Sequence, residues 1–118
     1  MKGIAGKKAI IECMTEEWDE NEIQLVLWYR EDSNIGAIEG TVPFYKLDSR
    51  HRQLNKAKHI LQTGEQEAYR FTFDVTHTPP ALIISPVLVT DEGWYRCRVD
   101  YKTRRTQSFS TYLEVIGI

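Results

Sequence analysis

The chain has two cysteines, Cys13 and Cys97, and the second closes the phrase Asp91-Glu92-Gly93-Trp94-Tyr95-Arg96-Cys97. Trp28 lies between them. Both cysteines fall within short runs rich in β-branched and aromatic residues, and turn residues separate runs of this kind along the whole chain, which argues for an all-β fold. Two cysteines so far apart point to a disulfide and an oxidising compartment. The alternative is two unrelated buried thiols.

The order Cys, Trp, Asp-x-Gly-x-Tyr-x-Cys is the signature of an immunoglobulin-like β-sandwich, two antiparallel sheets joined by one inter-sheet disulfide, here Cys13–Cys97. Closing so long a loop would stabilise the fold by roughly 4–5 kcal/mol in the chain-entropy model. Strands are expected at 9–13 (B), 24–30 (C), 42–47 (C′), 67–74 (D), 81–84 (E), 93–100 (F) and 108–116 (G). Residues 15–21 read as an acidic loop, 31–41 as a long turn and 101–106 as the tip between F and G. The polar stretch 48–64 is expected to hold a short extra edge strand or an irregular crossing. Residues 14–96 between the cysteines are too many for a seven-strand constant-type domain and leave room for the C′ and C″ strands of a variable-type one.

Several residues then read as structural. Trp28 is expected against the disulfide, and Tyr95, two before Cys97, as the tyrosine corner bonded to backbone just upstream. In variable-type domains an arginine entering strand D pairs with the aspartate ahead of strand F, and Arg70 and Asp91 occupy those places.

At 118 residues the chain is one domain spanning 1–118. Its net charge of −2 does not suggest a polyanion partner, so no nucleic-acid role is expected. No apolar run is long enough to span a membrane. Met1 reads as a start residue on a domain taken from a multi-domain ectodomain, whose signal sequence and membrane anchor lie elsewhere. His51, His59 and His77 lack metal-ligand spacing, and the acidic run 16–20 lacks the alternation and central glycine of a calcium loop. Phosphate-loop and nucleophile-elbow motifs are absent as well. No metal, cofactor or enzymatic activity is expected.

Strand C carries the functional signal. With Val26 and Trp28 facing inward, alternation points Leu25, Leu27 and Tyr29 outward, where an exposed antiparallel face would be polar. Arg96, Arg98 and Asp100 should face outward from F, Ser108, Ser110 and Tyr112 from G, and Phe44 from C′ if its register matches. The expected surface is an open apolar centre rimmed by arginines, the usual anatomy of a protein interface. On this reading Leu27→Asp would cost binding and leave stability alone. Arg104 and Arg105 read either as solubilising charge or as an anchor at the tip.

Two segments resemble the first immunoglobulin domain of the insect Sidestep family. One is Asp91-Glu92-Gly93-Trp94-Tyr95-Arg96-Cys97-Arg98-Val99-Asp100-Tyr101-Lys102 with the following Thr103-Arg104-Arg105-Thr106-Gln107. The other is Val26-Leu27-Trp28-Tyr29-Arg30-Glu31-Asp32, followed by Pro43-Phe44-Tyr45-Lys46-Leu47-Asp48-Ser49-Arg50. The resemblance covers about two thirds of the chain. It implies a cell-surface receptor domain acting in axon guidance and synaptic partner choice. It further implies heterophilic binding of Beaten-path-type immunoglobulin proteins through the G-F-C-C′ sheet. Trp94 departs from the pattern, where a small aliphatic residue is expected, and 50–64 holds no family landmark. A homodimer through the same sheet stays open. So does a soluble immune domain that binds a glycan or small ligand through its loops.

Overall fold

Period-two alternation of apolar and polar residues puts one face of each strand into the core. In the computed structural model, which describes residues 1–14, 22–31, 43–50, 58–61, 70–77 and 79–117, these runs form β1 (Lys2–Ile4), β2 (Ala9–Glu12), β3 (Ile23–Glu31), β4 (Tyr45–Asp48), β5 (Lys58–Leu61), β6 (Phe71–Asp74), β7 (Ala81–Ile84), β8 (Gly93–Tyr101) and β9 (Gln107–Ile116). Six strands make one sheet in the order β1-β9-β8-β3-β4-β5, and three make the other in the order β2-β7-β6. The expected strands B to G correspond to β2, β3, β4, β6, β7, β8 and β9. The extra edge strand in the polar stretch is β5, antiparallel to β4. The expected acidic loop 15–21, most of the turn 31–41, Val42, residues 51–57 and residues 62–69 lie outside the described residues.

β1 was not anticipated. It runs parallel to the end of β9, pairing Gly3 with Val115. Its signal is a buried glycine between two exposed residues. A Cβ on Gly3 would come within 3.3 Å of the Leu113 side chain, so the small residue lets β1 lie close over β9.

Trp28, Tyr95, Phe73, Ile11 and Leu82 are among the largest fully buried side chains between the sheets. Each such burial contributes roughly 1.5–3 kcal/mol. Cys13 and Cys97 form the disulfide, with Cα atoms 5.8 Å apart. Trp28 stands directly opposite Cys97 in the β3–β8 register and meets Phe73 edge-on at 5.9 Å. Tyr45 reaches across the core, its hydroxyl accepting the Phe73 amide proton at 3.0 Å and lying 2.6 Å from Nδ1 of His59.

The lower end is pinned around the 3-10 turn Val89–Asp91. The Tyr95 hydroxyl donates to the Asp91 carbonyl at 2.5 Å. Arg70 donates to both oxygens of the Asp91 carboxylate, at 2.6 and 3.1 Å, and to the Pro86 carbonyl at 3.1 Å. Gly93 leads out of this corner with φ of +148°, a conformation that residues with a side chain rarely adopt.

Candidate recognition face

β3, β8, β9 and β4 present one continuous outer surface whose rows follow from register. Leu25 lies between Asp48 and Asp100, and Leu27 lies between Lys46 and Arg98. Tyr29 stands beside Arg96, which neighbours Ser110. Trp94 stands beside Tyr112. Burial along β8 alternates without a break, so Trp94, Arg96, Arg98 and Asp100 all point outward.

The expected open apolar centre is not there. Leu27 and Tyr29 do face outward, but they are only 9% and 6% exposed, and Leu25 is half-buried. A long side chain of the same sheet covers Tyr29. The Arg96 guanidinium lies over the Tyr29 ring at 4.4 Å, a cation–π contact. Leu27 is flanked in register by Lys46 and Arg98, both half-buried. Alternation gave the direction of these residues and was silent about long neighbours bending over them.

Phe44 also departs from expectation. It precedes β4, where strand alternation does not yet apply, and it turns inward onto the core. Its ring meets Phe71 and Tyr95 edge-on, at 5.2 and 6.2 Å.

The exposed aromatic surface lies lower on the same face. Trp94 is 41% exposed and Tyr112 38%, and their rings meet edge-on at 5.3 Å. Tyr112 was anticipated as a contact residue. Trp94 was noticed only as a departure from a family pattern, although its place two residues before Arg96 already set it on the outer face.

Charge is distributed unevenly over this surface. Arg98 donates to Asp100 at 3.1 Å, and the bonded carboxylate, helped by Tyr29, holds the guanidinium more firmly protonated than usual. Thr106 donates to the same carboxylate oxygen at 2.8 Å, tying the tip to β8. Arg50 donates twice to Asp48 and lowers its pKa to about 2. At the tip, Lys102, Arg104 and Arg105 are exposed.

Among the described residues no three His, Cys, Asp or Glu side chains gather as a metal site, and no helix is long and apolar enough to cross a membrane.

The immunoglobulin V-set domain family matches residues 1–116. The chain belongs to that family. A search of curated proteins finds no match. Among solved structures, murine CRIg superposes with a TM-score of 0.75 at 16% identity, covering 98% of this chain and 91% of that one. The first immunoglobulin-like domain of human CD48 antigen gives 0.71 at 22% identity, covering 99% and 80%. The extracellular domain of the voltage-gated sodium channel beta-4 subunit gives 0.65 at 15% identity, covering 100% and 90%. These likenesses establish a shared fold with immunoglobulin domains of cell-surface proteins. The V-set fold is one of binding and recognition proteins rather than enzymes, and its inter-sheet disulfide is typical of extracellular domains.

Proposed function

We propose that this V-set domain is the recognition module of a cell-surface receptor, and that it docks another immunoglobulin-superfamily domain through the outer face of β9, β8, β3 and β4. One observation carries the reading. Two large aromatics, Trp94 and Tyr112, stand exposed on a sheet face beside Arg96 and Arg98. Trp, Tyr and Arg are the residue types that dominate interface energetics, and each leaves water at a gain when a partner covers it. The β4-side residues Leu25, Leu27 and Tyr29 then serve as the floor on which Arg96 and Arg98 are held, and Arg104 and Arg105 extend the surface at the tip. Docking requires no chemistry on the partner.

The Sidestep resemblance supplies the finer reading. The domain would be the first of a multi-domain plasma-membrane ectodomain that acts in axon guidance and synaptic partner choice, with Beaten-path-type proteins as partners. The test is a binding screen of the domain against purified extracellular immunoglobulin domains, Beaten-path types and the domain itself included. A binder is expected whose affinity falls at least tenfold with Trp94→Ala or Tyr112→Ala at unchanged melting temperature. Binding that both variants retain in full would refute the assignment of the face.

A further inference from the structure

Below the aromatic pair, at the edge of the sheet, β1 and β9 form an outer corner with a pattern of its own. The two strands are parallel, so their outward residues stand in level rows, Lys2 beside Glu114 and Ile4 beside Ile116. Neighbours in a row are about 5 Å apart, and the rows are about 7 Å apart along the strands. All four side chains are exposed, the isoleucines at 47% and 46%. Among the described residues no ion pair engages Lys2 or Glu114. Backbone bonds hold the corner in place. The Ala5 amide donates to the Ile116 carbonyl and the Glu114 amide to the Met1 carbonyl, each at 2.9 Å. Met1, Lys7 and Glu92 border the rows: the Met1 amino group donates to the Tyr112 carbonyl at 3.1 Å, the Lys7 amide to the Ile4 carbonyl at 2.9 Å, and the Val115 amide to the Glu92 carboxylate at 3.0 Å.

We infer that this corner docks a second copy of the same chain about a two-fold axis that runs along the strands, between β1 and β9. Such an axis lays β1 of each copy over β9 of the other. Lys2 then faces Glu114 of the second copy, Glu114 faces its Lys2, and the two Ile4–Ile116 rows meet, so the surface is complementary to itself, as a two-fold contact requires. A two-fold axis running across the strands would set Lys2 against Lys2 and Glu114 against Glu114, and like charges brought together across an interface oppose association. Charge therefore selects one arrangement, in which the strands of both copies run the same way. In the receptor proposed above, that places two molecules side by side on one cell surface. With four residues from each copy at its centre, the contact belongs to the small, transient class, below about 1,200 Å². Molecules confined to one membrane face each other at high effective concentration, where a weak contact suffices. The corner is separate from the aromatic docking face, and its self-association holds or falls without it.

Sedimentation velocity of the domain from about 10 µM to about 1 mM tests this. The parent should show a concentration-dependent monomer–dimer equilibrium. Lys2→Glu and Glu114→Lys each put like charges into both crossing contacts, and each should weaken dimerisation about tenfold or more at unchanged melting temperature, since both positions are exposed. The double variant Lys2→Glu/Glu114→Lys restores opposite charges and should dimerise like the parent. Mixing the two single variants should give a heterodimer, because one carries two carboxylates where the other carries two ammonium groups. A parent that stays monomeric throughout, a dimer indifferent to both single variants, or a double variant no better than the singles overturns the inference. If Trp94→Ala abolishes the dimer while the charge variants leave it intact, the copies meet through the aromatic docking face and the corner falls. If the charge variants behave as expected while Trp94→Ala and Tyr112→Ala leave binding to other immunoglobulin domains untouched, the corner stands and the aromatic docking reading fails instead.

Discussion

Arg70→Met tests how the lower end of the sandwich is held. The Arg70 and Asp91 side chains are 11% and 1% exposed, and Arg70 supplies two hydrogen bonds to the carboxylate. Without the guanidinium, the Leu88 amide, at 2.8 Å, is the one donor left to the Asp91 carboxylate among the described residues. A carboxylate stranded in this way costs about 3–5 kcal/mol. That is a large share of the roughly 5–15 kcal/mol by which a domain of this kind is stable, and it corresponds to a fall in Tm on the order of 15 °C. Removing both charges behaves differently. In Arg70→Met/Asp91→Asn the amide oxygen still accepts from Leu88 and no buried charge is left, so most of the loss should be recovered. Thermal and urea unfolding of the two variants beside the parent domain make the comparison. A single variant that melts within about 2 °C of the parent, or a double variant no better than the single, would show that the ion pair does not hold this end.

Three further outcomes follow from the structure. Leu27→Asp should destabilise the domain by about 1–3 kcal/mol in urea unfolding, because Leu27 is buried; unchanged stability would mean the residue is open to solvent. Tyr45→Phe removes the acceptor of the buried Phe73 amide and should cost about 1–3 kcal/mol, read by the same method; a neutral result would show that the amide finds another partner. Burial holds the His59 pKa below its usual 6.5, so the folded state takes up a proton less readily than the unfolded one. Stability should therefore be full above about pH 6.5, decline as pH falls through that value, and level off below the folded pKa. His59→Gln should flatten this part of the Tm–pH curve, and an unaltered curve would exclude His59 as its source.

The architecture was largely legible because it rests on local rules. Alternation placed Ile11, Cys13, Val26, Trp28, Leu82 and Ile84 inward, and all six are buried. The Asp-x-Gly-x-Tyr-x-Cys phrase located the corner at which Tyr95, Asp91 and Arg70 meet. β1 escaped notice because three residues paired in parallel with a distant strand leave almost no periodic trace. Phe44 was misplaced because it stands just outside its strand, where a period of two says nothing.

The candidate face divides along the same line. The chain's own alternation decided that Leu27, Tyr29, Trp94, Arg96, Arg98 and Tyr112 share one side of a sheet, since successive residues of a strand point to opposite faces whatever surrounds them. Which of them meets water was decided only by the assembled fold. Exposure depends on neighbours from other strands, and pairing β3 with β8 lays Arg96 over Tyr29, while Trp94 and Tyr112, near the end of the sheet, have no long cation stacked over them among the described contacts.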